Sequence, residues 1–279
     1  MEDAEFTQAL NYFSAIVSYN LSLVVEEFKT IDGINNYSYI IDELLKNDSD
    51  DLGIDLLDLD ISRVYDLSSQ ILTLLFNEYK SKEFIHDYFE RVVVTGETPF
   101  DGSVIMVKGK KFITVGKNDK VMSIPTLTHE GTHIIVPYTY TKNSHILDAL
   151  PILVELITSI LLDGMHIGSS NFNNSLIVRI SNLKELYFKE SLLISQDASE
   201  RDKYIHAFKR HSFYNYLISF VYATNLLIYY LEDAPRFIST LNDSLKYHES
   251  FYDLLKYYGI NFTKNETITN TIKVLKNTP

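Results

Sequence analysis

The chain has 279 residues, 46% of them hydrophobic, which is ample for one large packed core or two small ones. Its formal net charge of −12 excludes the clustered Lys and Arg that phosphate binding needs, so nucleic acid is not an expected partner. With no cysteine there is no disulfide, no thiolate metal site and no cysteine nucleophile, and any zinc site must be built from His and carboxylates.

The first ten residues, MEDAEFTQAL, are acidic and lack an apolar h-region. A secretory signal is therefore not expected, and a cytoplasmic location is. Residues 3–29 place Phe6, Leu10, Phe13, Ile16 and Val17 at helical spacing, and a second helix is expected over 35–46. The acidic run 47–60 reads as a break, after which helices are expected at 61–80 and 82–91. Residues 1–91 thus form an N-terminal helical region, and 92–279 are expected to form a catalytic region, the two making one compact unit.

Three strands are expected next, Val92–Thr95, Ser103–Lys108 and Lys111–Val115; the last two flank Gly109-Lys110, a hairpin signal. Helices follow at about 124–136, 149–163, 175–194, 202–232, 235–257 and 266–276. Pro125 and Pro137 bracket the first of these. Asp148 is placed to cap the second, with Pro151 in its first turn and Gly164 after its end. The stretch Phe213–Leu231 runs 19 residues without a charge, long enough for a membrane span. Asn215, Ser219, Thr224, Asn225 and several tyrosines do not suit a bilayer centre, so no membrane partner is expected. The expected fold is mainly α, with one small β-hairpin sheet beside the helix that carries residues 129–133.

Those residues read His-Glu-Gly-Thr-His. On a helix His129 and His133 lie one turn apart on one face, about 6 Å along the axis, and both rings can reach one ion. A zinc peptidase needs such a pair together with an open position for water. Glu130, at the edge of that face, can reach this water as general base and later pass the proton to the leaving amine. The helix is apolar around these three groups, through Ile124, Leu127, Ile134, Ile135 and Val136, so the polar atoms need a partner inside, which Zn2+ provides.

The third ligand discriminates among zinc peptidases. The metzincin pattern needs Gly at 136 and His at 139; Val136 and Thr139 exclude it. Glu155 is the acidic residue inside the helix expected at 149–163, among Ile152, Leu153, Val154, Leu156 and Ile157. A lone carboxylate in such a run is costly unless paired or bound to metal, which makes Glu155 the expected ligand. His145 and Asp148, in the loop TKNSHILD, are weaker candidates. Each ligating His is expected to donate its other ring N–H to a neighbour, with Asp148, Thr158 and Ser159 as possibilities.

Two segments together carry a resemblance. His129-Glu-Gly-Thr-His133 followed after 21 residues by Glu155 resembles the gluzincin arrangement, and Tyr214-Asn-Tyr216-Leu-Ile-Ser219 resembles the Tyr-x-Tyr-Leu-x-Ser stretch of the M3 oligopeptidases, the thimet oligopeptidase and oligoendopeptidase F types. The resemblance implies a helical zinc-peptidase fold that admits peptides through a channel. It also implies His129, His133 and Glu155 as ligands of Zn2+, Glu130 as base, and Tyr216, with Tyr214 beside it, at the oxyanion or the substrate. The chain departs from the family in having Gly131 one position early, with Thr132 before the second His. A phenol can donate to a developing oxyanion. On a regular helix Tyr214 and Tyr216 point about 200° apart, so only one can face the metal, and His211 shares the face of Tyr214.

Peptide substrate is thus the expected partner, with the hairpin edge before the zinc helix available for β-augmentation. The alternative is a non-catalytic zinc- or peptide-binding protein that retains a peptidase scaffold, in which Glu130 is dispensable.

Overall fold

The computed structural model describes residues 43, 61–89, 92–95, 102–107, 110–116, 123–141, 146–168, 170–191, 200–247, 249–261 and 264–276. The helices expected at 3–29 and 35–46 and the acidic run 47–60 lie, Glu43 apart, outside these residues.

Helix α1 (Ile61–Phe76) turns Val64, Leu67, Ile71, Leu72 and Leu75 inward at three- and four-residue steps, the spacing of one helical face. Helix α2 (Lys82–Phe89) follows, burying Ile85, Tyr88 and Phe89. Three strands come next: β1 (Val92–Thr95), β2 (Gly102–Val107) and β3 (Lys110–Gly116). The expectation of a lone β-hairpin is corrected here, because the sheet is mixed, three-stranded and ordered β1-β3-β2. β2 runs antiparallel to β3, and β1 adds parallel on the other side of β3, with Val92 opposite Ile113. The strand leading into the next helix is therefore central. Both its edges are paired, so it cannot take up an extended peptide as a free edge would.

Helix α3 (Ser123–Ile135) carries the His-Glu-Gly-Thr-His run and packs on β2, β3 and α1. Pro125 sits in its first turn, where a missing N–H breaks no helical bond, and Pro137 lies just past its end. A Cβ at Gly131 would stand 2.6 Å from Leu72 Cδ1 of α1, so glycine at this position permits the close approach of the two helices. After the short α4 (Tyr138–Thr141) comes α5 (Ala149–Gly164), in which every residue from Ala149 to Ser159 is buried. A helix apolar on all sides belongs in the interior, and α5 touches α3, α6 (Asn171–Ser191) and α7 (Glu200–Glu232). Hydroxyl pairs fix its register: Thr158 with Thr128 of α3 at 2.9 Å, and Ser159 with Ser175 of α6 at 2.6 Å.

The charge-free stretch 213–231 falls in α7, where Leu217–Leu227 are buried among the other helices. Its polar groups are satisfied inside. Asn225 Nδ2 donates to Val221 O, Thr267 O and Thr271 Oγ1, and Thr224 pairs with Thr271, joining α7 to α10 (Asn265–Lys276). Among the described residues no helix is long and apolar enough to cross a membrane.

The single helix expected over 235–257 is two: α8 (Ala234–Lys246) and α9 (Phe251–Tyr257). The break has a local cause. Ser250 accepts from Asp253 N while Asp253 accepts from Ser250 N, a capping box that starts a new helix.

Candidate metal centre

The site lies where α3 meets the first two turns of α5. His129 and His133 project from α3 with ring centroids 5.1 Å apart and planes at 73°. Asp148 occupies the N-cap position of α5, yet its side chain makes no capping hydrogen bond. Its Oδ1 instead stands 3.1 Å from His133 Nε2 and 3.9 Å from His129 Nε2. His129, His133 and Asp148 each offer one ligand atom, and these atoms lie within 4.8 Å of one another. Two imidazole nitrogens and one carboxylate oxygen form the donor set that zinc favours in catalytic sites.

Glu155, the expected third ligand, faces the other side of His129. Its Oε2 lies 3.2 Å from His129 Nδ1. Arg179 of α6 grips the same carboxylate at both oxygens, through Nε to Oε1 at 2.9 Å and through Nη2 to Oε2. Asp148 and Glu155 are seven residues apart, two helical turns, so both project on one face of α5 about 10 Å apart along the axis. The His129 ring fits between them, with one nitrogen toward each.

The remaining second-shell expectations resolve differently. Thr158 and Ser159, expected as partners of a ligating His, join helices instead: Thr158 bonds Thr128, and Ser159 bonds Glu155 O and Ser175. Asp148 meets His133 on the ligand side. His145 lies outside the described residues.

Electrostatics reinforce this division. Burial pushes the Glu130 carboxyl upward, with Asp148 adding to the effect and His129, His133 and Arg179 opposing it; the net shift is upward. Burial alone would raise Glu155 too, but the Arg179 guanidinium and hydrogen bonds from His129 and Arg179 outweigh it and hold the group well below the usual carboxylate range. Asp148 is likewise lowered: His133 and the neighbouring positive groups overcome its burial. Three buried or mostly buried carboxylates thus share one guanidinium, a surplus of acceptors that a divalent cation between the Nε2 atoms and Asp148 would offset.

Tyr216, on α7, packs against the core and senses the site. The charge of Asp148, then burial, raises its phenol, with smaller contributions from Glu130 and Glu155. Tyr214 and His211 lie in α7, but their side chains are outside the described residues. Arg179 is the site residue that sequence reasoning missed. Ser175, Leu176 and Leu183, three or four positions away on α6, are buried, so a charged residue in that phase was the available signal.

The cluster can therefore hold a cation on one side of His129, orient that ring from the other, and present Glu130 beside the metal position. No protein-family model and no curated protein matches the chain. A solved structure does: the crystal structure of a candidate oligoendopeptidase F from Bacillus anthracis str. Ames, with a TM-score of 0.59 over 80% of this chain at 12% identity. The likeness is one of fold. The chain matches 47% of that oligoendopeptidase F, about half its length.

Proposed function

We propose that this chain hydrolyses peptide bonds with the help of a divalent cation, and that zinc is the ion its donors fit. The observation that supports this reading is the convergence of His129, His133 and Asp148 donor atoms within 4.8 Å, with buried Glu130 beside them. The shared fold with an oligoendopeptidase F points the same way. His129 and His133 would bind through Nε2 and Asp148 through Oδ1. When bound, the ion supplies a positive charge that polarises the scissile carbonyl and acidifies a nearby water.

The chain's own residues do the rest. Glu130, held upward in pKa by burial, takes the proton of the attacking water and returns it to the leaving amine nitrogen. Tyr216, kept protonated by the acidic surroundings, donates a hydrogen bond to the carbonyl oxygen as negative charge gathers there. Short or unfolded peptides are the proposed substrates.

Glu130→Gln tests the assignment against a mixture of fluorogenic peptides, with zinc content measured by elemental analysis. The variant is expected to keep zinc and its melting temperature while turnover falls about 100- to 10,000-fold. Undiminished hydrolysis in Glu130→Gln would overturn the role of this residue.

A further inference from the structure

We infer that Glu155 and Arg179 form a positioning pair that fixes the tautomer and tilt of His129, and that Glu155 is not itself a ligand. The inference rests on the proposed function, since it concerns what makes His129 a competent donor.

A neutral imidazole carries one proton on two nitrogens, and only the bare nitrogen can bind a cation. The Nε2 of His129 faces Asp148 and the His133 ring, while Nδ1 faces Glu155. Two groups compete for Nδ1. Glu155 Oε2 at 3.2 Å accepts a proton from it, and Arg179 Nη2 at 3.5 Å can only donate to it. The carboxylate is nearer, and its affinity for protons is the stronger pull, so the proton sits on Nδ1 and Nε2 is left bare.

Arg179 acts through Glu155. Its fork engages both carboxylate oxygens, which fixes the carboxylate plane and offsets its charge. A carboxylate so occupied on both oxygens has little left to give a metal, whereas Asp148 Oδ1 meets only the two rings among its described contacts.

The guanidinium is itself placed by α5. Asp163, near the end of that helix, accepts from Asn171 N at 2.7 Å, Asn171 Nδ2 at 2.9 Å and Phe172 N at 2.9 Å, which are the first groups of α6. Gly168 turns the chain between the helices at φ +79°, where a Cβ would also crowd the Asn171 side chain at 3.0 Å. Arg179 follows Asn171 by eight residues, so the Asp163 anchor sets its height against Glu155.

The test combines long-range proton–nitrogen NMR of histidine-labelled protein, freed of metal, with calorimetric titration by Zn2+. Wild type is expected to show His129 protonated at Nδ1. Glu155→Gln is expected to shift that tautomer and to weaken Zn2+ binding about 10- to 100-fold, with Arg179→Lys falling between. Asp148→Asn is expected to leave the tautomer in place while weakening Zn2+ binding more than Glu155→Gln does. Should Glu155→Gln fail to fold, Glu155→Gln with Arg179→Gln removes both charges together and carries the same readouts.

An Nε2-protonated His129 in wild type would overturn the inference. So would unchanged Zn2+ affinity in Glu155→Gln, or Asp148→Asn binding as wild type while Glu155→Gln loses binding altogether, which would make Glu155 the ligand. A wild-type chain that takes up no Zn2+ would overturn the proposed function instead, and the tautomer readout would still judge the pair on its own.

Discussion

Replacing Arg179 with Met leaves Glu155 buried, at 2% exposure, with its main counter-charge gone. Breaking a buried ion pair by deleting one partner costs about 3–5 kcal/mol, because the other charge stays desolvated. One partner remains, His129 Nδ1 at 3.2 Å, which sets the expectation at the lower end, about 3 kcal/mol. In a folded unit of this size each kcal/mol moves Tm by about 2–4 °C, so a fall of roughly 6–12 °C is expected. The assay is thermal and urea unfolding of chelator-dialysed protein, so that no cation stands in for the guanidinium. The double variant Arg179→Met, Glu155→Leu removes both charges and is expected to recover most of the loss, as apolar replacements of buried pairs commonly do. A loss below about 1 kcal/mol in the single variant would refute the reasoning, since that is the scale of a solvated surface pair.

Tyr216→Phe is expected to lower kcat about 100-fold with little change in KM, since a donor to a developing charge matters only at the barrier; an unchanged kcat removes Tyr216 from the reaction. Gly131→Val is expected to destabilise by about 1–3 kcal/mol in urea unfolding, because its side chain enters the space of Leu72 Cδ1; a neutral outcome would mean that α1 and α3 separate freely. Asn225→Leu strips the donor that joins α7 to Thr267 and Thr271. Hydrogen exchange should then accelerate in α10 ahead of the rest, with a loss of about 1–3 kcal/mol; uniform exchange across all helices would contradict that.

Much of the helical frame was legible because it is punctuated locally. Pro125 and Pro137 bound α3, and Asp148, Pro151 and Gly164 mark α5 to within a residue. The boundary between α8 and α9 was equally local, written in Ser250 and Asp253, but an apolar period continuing across it hid the capping box. The pairing of β1 with β3 was not legible, since a parallel partner comes from distant chain and leaves no turn signal. In the site, the His pair and Glu130 could be read from spacing alone. The division of labour between Asp148 and Glu155 could not. An Asp before a helix looks like a cap, and only coordinates reveal that its side chain has turned to His133. A carboxylate in an apolar helix needs a partner, but its sequence neighbours do not say whether that is a metal or an arginine 24 residues on.

Asp163 gives α5 a wider consequence. One rigid rod bears Asp148 near its start, Glu155 at its middle and, through Asp163, the seat of the helix that brings Arg179. The intervals among these three acidic groups are therefore covalently ruled, 1.5 Å per residue, and no rearrangement of outer helices can alter them without unwinding the rod. Any adjustment of the centre during turnover must come from α3 sliding or tilting against this ruler, with the Thr128–Thr158 contact as its pivot.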